Sequence, residues 1–184
     1  MPEGPEIRRA ADALSDAIAG LSIDHVRLPY HRLRPFGPRF RGQRIKAFRT
    51  HGKALLTDFD NGWTVYSHNQ LYGLWQVARP NDPLLPGRAL RLELGHRDRC
   101  IRLYSATDIS LWRTQNVAQH PSLSRLGPDI LDPILTPATL VARLQSAKFQ
   151  NQSLGKKLSN STQQGQEFAG IYRKAQRCTT DVRH

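Results

Sequence analysis

Cysteine is nearly absent from this 184-residue chain: only Cys100 and Cys178 occur. Two thiols cannot build a disulfide framework or a four-thiolate zinc site, and the usage fits a reducing compartment. Long apolar runs are missing as well. No stretch approaches the roughly 18 apolar residues of a membrane span, and the charged N-terminus lacks the apolar segment of a signal peptide. The expected location is the cytoplasm, with no membrane partner. Acid is scarce: 15 Asp+Glu stand against 27 Lys+Arg, a formal +12. Between His25 and Thr57 there is no acidic residue, against nine basic ones (Arg27, Arg32, Arg34, Arg39, Arg41, Arg44, Lys46, Arg49 and Lys53). That stretch is either a solvated basic face or a polyanion-binding surface. An anionic membrane fits it poorly, because Pro29, Pro35 and Pro38 break what would have to be an amphipathic helix. The aromatic residues form no stacking platform of the kind RNA-binding β domains use.

What is present reads in order. Ile7, Ala10/Ala11, Leu14, Ala17/Ile18 and Leu21 recur at helical spacing, and with Pro5 near the start and Gly20 near the end they predict an amphipathic helix over 5–19. Short strand-like pieces follow at Ile23–Arg27, Arg44–Arg49, Ala54–Phe59, Trp63–Ser67, Leu74–Ala78, Leu90–Leu94 and Cys100–Tyr104. Asp60-Asn61-Gly62 between two of them contains Asn-Gly, a strong hairpin signal. Many short strands at close spacing predict an antiparallel sandwich or small barrel. Ser110–Val117 reads as a turn or short helix, and residues 126–131 as a rigid linker. Thr136-Pro137 opens a further helix carrying Leu140, Val141 and Leu144. After that the large apolar residues thin out, and a weakly ordered tail is expected. The fold class is therefore α+β: an N-terminal helix, an antiparallel β sandwich or small barrel, a short helical segment and a poorly ordered tail. The expected divisions are 1–130, 131–152 and 153–184.

Three constellations carry chemistry. The first is the start, Met1-Pro2-Glu3-Gly4-Pro5-Glu6. Trimming of Met1 would leave Pro2 as a free secondary amine. A free α-amino group titrates at about 7.7–8.0, so a useful fraction is an uncharged nucleophile near neutral pH. Such an amine can form a covalent imine-type intermediate, with Glu3 beside it as acid or base. The same residues also suit an ordinary helix start. The second is His51-Gly52-Lys53 at a turn, where Lys53 is either a solvated rim charge or a participant in the chemistry. The third is Ser67-His68-Asn69-Gln70-Leu71-Tyr72-Gly73. A polar amide, an aliphatic and an aromatic in a row suit a wedge that enters a base stack, or else a buried strand-to-turn segment. Arg125, in a basic segment beside prolines, is a plausible phosphate contact.

Taken together, residues 1–12, Gly52-Lys53-Ala54-Leu55-Leu56, Tyr66 to Gly73, Leu103-Tyr104-Ser105-Ala106 and Gly127-Pro128-Asp129 resemble the formamidopyrimidine-DNA glycosylase/endonuclease VIII family of base-excision repair. The resemblance covers about residues 1–152, and Gln70-Leu71-Tyr72 points to its endonuclease VIII branch. It implies a bifunctional DNA glycosylase and AP lyase acting on oxidised pyrimidines in damaged double-stranded DNA, as a monomer. Pro2 would attack C1′ and Glu3 would protonate the opening sugar. Lys53 would donate a proton in β,δ-elimination and bind phosphate. Gln70, Leu71 and Tyr72 would fill the gap in the duplex, and Arg125 would contact DNA. The family continues with a Gly-Asn-Tyr-Leu-Arg segment and a four-cysteine zinc finger. Here Phe168-Ala169-Gly170-Ile171-Tyr172-Arg173 offers no such Asn, and no zinc finger is expected, hence no metal or cofactor. The expectation is a truncated or frame-shifted relative, either an impaired enzyme or a non-catalytic DNA-binding remnant.

Overall fold

The computed structural model of the chain describes residues 4–126 and 136–145. The chain divides into two compact units, Met1–His120 and Pro121–His184. The first unit opens with helix α1 (Gly4–Ile18). Its strands are β1 (His25–Arg27), β2 (Ile45–His51), β3 (Ala54–Phe59), β4 (Trp63–His68), β5 (Leu74–Ala78), β6 (Leu90–His96), β7 (Arg99–Tyr104) and β8 (Asp108–Arg113). A 3-10 turn at Arg34–Phe36 runs into the short helix α2 (Gly37–Phe40), and another spans Thr114–Gln119. The second unit contains helix α3 (Pro137–Gln145).

Helix α1 forms where the periodicity predicts it. Ile7, Ala11, Leu14 and Ile18, spaced four, three and four residues apart, are each 2% exposed or less. That stripe packs α1 onto β2, β7, β5 and β3. Burying an Ile or Leu contributes about 1.5–3 kcal/mol, so this face dominates the helix's stability. The helix ends before Gly20, which takes a left-handed φ of 77°. The Gly20 N–H then donates to the Ile45 carbonyl at 2.8 Å, tying the helix's C-terminal end to the first residue of β2.

Two antiparallel four-stranded sheets form the sandwich, in the orders β1-β6-β7-β5 and β2-β3-β4-β8. β3 is buried at every position, and so its sequence Ala-Leu-Leu-Thr-Asp-Phe shows no polar alternation. The one charge within it, Asp58, accepts from Arg49 Nε and Nη2 (2.5 and 3.0 Å) and from the Thr64 hydroxyl (2.6 Å). The other sheet has a deeper pair. Glu93 on β6 lies opposite Arg102 on β7, both almost fully buried. Arg102 Nε donates to Glu93 Oε2 (2.5 Å). Its Nη1 and Nη2 donate to the carbonyls of Asp82, Pro83, Arg79 and Pro80 at 3.1–3.4 Å. The 79–83 loop is folded around one guanidinium, which satisfies the condition for burying a charge.

The α+β class and the sandwich match the sequence reading; two corrections concern elements. Ser110–Val117, expected as a turn or short helix, begins inside strand β8, which pairs with β4 from Trp63↔Arg113 to His68↔Asp108. Only Thr114–Gln119 is helical, as a 3-10 turn. The reason is tertiary: β4 needs a partner on its open side, and Ile109 is buried to supply it. Ile23–Arg27 is strand only from His25. Ile23 instead exchanges backbone bonds with Gln43 and Gly42. The 126–131 linker falls mostly, and the tail beyond 145 wholly, outside the described residues. Leu140 and Leu144 of α3 are not described as side chains, and Val141 is exposed.

Candidate nucleic-acid interface

One end of the sandwich collects most of the predicted residues, through strand register. His51 pairs with Ala54 across a turn in which Gly52 has φ 58° and Lys53 is half-buried. Ala54 pairs with His68, and His68 with Asp108. Lys53 and Asp108 are close enough to His68 for both charges to act on its ring. From this end the chain crosses between sheets twice, from β4 to β5 and from β7 to β8. The first crossing is the Asn69–Gly73 turn, the second Ser105–Thr107.

The turn is braced from every side. The Gly73 N–H donates to the Asn69 carbonyl at 2.7 Å. A Cβ on Gly73 would lie 2.5 Å from Asn69 Cα and O, so only glycine closes this turn. Gln70 has φ 52°, unusual for a residue with a side chain. Its N–H donates to His68 Nδ1 at 3.1 Å. Its Oε1 accepts from the Thr107 hydroxyl at 2.5 Å, linking the two crossings. Arg88 Nη1 donates to the Tyr72 carbonyl at 2.8 Å. Burial pushes the His68 imidazolium pKa down, Lys53 adds to this, and Asp108 opposes it. A neutral ring keeps Nδ1 an acceptor, which the Gln70 N–H requires. On this scaffold Leu71 is 61% exposed and Tyr72 68%. Two large apolar side chains projecting from a rigid turn are a contact surface for something apolar.

So the structure brings Lys53, Gln70, Leu71 and Tyr72 to one end. Arg125 is exposed in the second unit. Pro2 and Glu3 lie outside the described residues. His68 and Gly73 stood in the predicted run without a role, and Thr107 and Arg88 were missed as contributors. For Gly73 the signal was present, a glycine closing a polar-apolar run. For Thr107 and Arg88, 37 and 16 residues away from their partners, no local pattern exists. Among the described residues no group of three or more His, Cys, Asp or Glu could hold a metal ion. The two cysteines of the chain do not fit the four-thiolate finger that the family resemblance implies.

The braced apolar tip and the acid-free basic stretch belong to one β sandwich, and comparison gives that sandwich a family. The family model described as the Formamidopyrimidine-DNA glycosylase N-terminal domain matches residues 1–106, and the chain belongs to that family. Among curated relatives it is similar to Endonuclease 8 of Klebsiella pneumoniae, 49% identical over 151 residues, covering 82% of this chain and 57% of the relative. Endonuclease 8 of Shigella flexneri serotype 5b is 48% identical over the same coverage. The chain thus spans a little over half the length of these relatives. Among solved structures, the complex of the LlFpg protein with a THF-DNA and an inhibitor shares the fold. Its TM-score is 0.62 at 20% identity, over 70% of this chain and 50% of that one. The Lactococcus lactis Fpg complex with an abasic site containing DNA matches equally.

Proposed function

We propose that the chain is a DNA glycosylase with AP lyase activity toward oxidised pyrimidines in duplex DNA, working through Pro2. The observation that carries the reading is the braced Asn69–Gly73 turn, holding Leu71 and Tyr72 out at the same end of the sandwich as Lys53 in a chain of this family. The Pro2 nitrogen attacks C1′ of the damaged nucleotide, and the C1′–base bond breaks with its electrons leaving on the base. Glu3 protonates the ring oxygen as the sugar opens. Because Pro2 is a secondary amine, the resulting imine is cationic and acts as an electron sink. It acidifies C2′, so loss of that proton expels the 3′ phosphate. A further elimination expels the 5′ phosphate, with Lys53 donating protons and neutralising phosphate. Gln70, Leu71 and Tyr72 occupy the gap left by the extruded nucleotide, at the expense of a few kcal/mol of unstacking. Arg125 contacts a phosphate.

The helix supports this assignment. α1 is tied to the start of β2 at its C-terminal end and packs along that strand. Its 15 residues rise about 22 Å at 1.5 Å each. The seven residues of β2 span a similar length at about 3.3 Å each. With helix and strand of matched length tied at one end, the first turn of α1 is proposed to lie toward the Lys53 turn. The protein is further proposed to act as a monomer in the bacterial cytoplasm, without metal or cofactor. No described helix is long and apolar enough to cross a membrane. The test is borohydride trapping with an abasic-site duplex. A covalent adduct that disappears in Pro2→Gly is expected. Salt-dependent DNA binding with no trappable adduct would leave a non-catalytic DNA-binding protein instead.

A further inference from the structure

The opposite end of the β2-β3-β4-β8 sheet carries a second concentration of positive charge that the proposed chemistry does not use. Trp63 opens β4 and Arg113 closes β8 directly across from it. Five residues of strand separate Trp63 from His68, about 17 Å at roughly 3.4 Å per residue. Three segments are tied together here. Asn61, in the β3–β4 turn, donates from Nδ2 to the Arg39 carbonyl of α2 (2.8 Å) and accepts the Trp63 N–H on Oδ1 (3.2 Å). The Thr114 N–H donates to the Gly62 carbonyl (2.9 Å).

The result is a pair of arginines on one indole. Arg113 Cζ lies 4.2 Å from the Trp63 ring centre and Arg39 Cζ 4.9 Å. Arg39 also lies 5.9 Å from the Phe36 ring. Both arginines are exposed, and neither pairs with a carboxylate among the described residues. Asp60, the acid of the turn, instead accepts the Arg44 backbone N–H at 3.1 Å. The bland role for such stacking is to cover a half-buried tryptophan, which one aliphatic stem would do. Two guanidiniums gathered on one indole, neither with a carboxylate among the described residues, repel each other, and a closely spaced polyanion relieves that repulsion. Stacking also fixes the planar forks in advance, reducing the side-chain entropy lost when they bind.

We infer that Arg39 and Arg113, held on Trp63, form a second nucleic-acid contact that binds the phosphate backbone of undamaged duplex DNA. Duplex DNA fits because it offers a negative charge every 1.7 Å of axis and its phosphates accept bidentate guanidinium bonds. The contact is independent of whether Pro2 reacts. It also gives part of the acid-free 25–57 stretch a role that the tip at the other end does not supply.

The test measures binding of an undamaged duplex as a function of salt, with no chemistry involved. Each phosphate contact contributes about 0.9 to the slope of log K against log salt. The R39Q/R113Q variant should therefore lose about two units of slope. The charge-matched variant R97Q/R99Q, at the β6–β7 turn, should lose much less. An unchanged slope, or the same loss in both variants, overturns the inference. So does displacement of the duplex by polyglutamate at equal charge concentration, which would mark an acidic-peptide surface. If R39Q/R113Q does not fold, R39K/R113K is read instead: slope retained, affinity several-fold weaker for want of the planar fork. Unchanged affinity in that variant overturns the inference as well.

Discussion

Gly73→Ala is the most informative single substitution, because its consequence follows from one local geometry. The new Cβ would sit 2.5 Å from Asn69 Cα and O and 2.9 Å from its carbonyl carbon. These are backbone atoms and cannot swing aside like a side-chain tip. The turn must open, which breaks the 2.7 Å Gly73 N–H to Asn69 carbonyl bond, worth about 1 kcal/mol net. Overpacking adds about 1–3 kcal/mol, less whatever the loop relieves by moving. The strain falls on a surface loop, so the sandwich should survive, with stability reduced by about 1–3 kcal/mol in urea denaturation. Leu71 and Tyr72 lose their fixed position, and the same energy reappears as weaker lesion engagement. At 1.4 kcal/mol per tenfold, that is about 10- to 100-fold in half-saturation of borohydride-trapped adduct. Leu71→Ala provides the comparison, since it removes wedge surface and leaves the turn closed. A Gly73→Ala protein within about 0.5 kcal/mol of the parent, trapping at undiminished rate, would refute the reasoning.

Three further outcomes follow from the same contacts. Arg102→Met leaves buried Glu93 with His25 as its remaining partner (2.6 Å) and releases four loop carbonyls, and should cost at most about 3–5 kcal/mol in urea denaturation. His68 and His120 are both held below the ordinary imidazole range, chiefly by burial. Below about pH 6.5 the unfolded chain takes up protons that the folded protein refuses. Their contribution is therefore complete above that value and is lost as pH falls toward the folded pKa values. Denaturation at pH 7.5 and 5.5 should show the drop, and His120→Phe, which retains a ring against Tyr66, should make it shallower. Burial pushes the Cys100 thiol up to about 11. It should therefore resist thiol reagents at pH 8 in the folded protein and react once urea unfolds it, as read by mass spectrometry of the peptide.

How legible each feature was depended on how local its cause is. Helix α1 was readable within a residue, since its stripe of Ile7, Ala11, Leu14 and Ile18 is a property of 3.6-residue periodicity alone. The β3–β4 hairpin was readable from Asn61-Gly62, although Gly62 alone takes positive φ (77°), with its N–H closing onto the Phe59 carbonyl. Strand β8 was missed even though Asp108-Ile109-Ser110-Leu111 alternates. Its alternation is short, and its pairing with β4, from His68↔Asp108 to Trp63↔Arg113, joins residues 40 to 50 apart in sequence. The wedge residues were visible as an odd composition, while their exposure, which makes them usable, was not.

The sequence by itself determined the class of the protein. Charge segregation, helical period, strand spacing and the opening Met1-Pro2-Glu3 are all properties of neighbours along the chain. Only the tertiary structure decided how the tip is held and where the charge is gathered. Thr107 and Arg88 reach Gln70 and Tyr72 because two crossings between sheets meet at one end. Arg113 reaches Trp63 because strand register brings the end of β8 against the start of β4, and Arg39 reaches it because Asn61 ties α2 to the β3–β4 turn. Such contacts join residues far apart in sequence, and they exist only once the closure entropy of the intervening loops has been offset by the packed core.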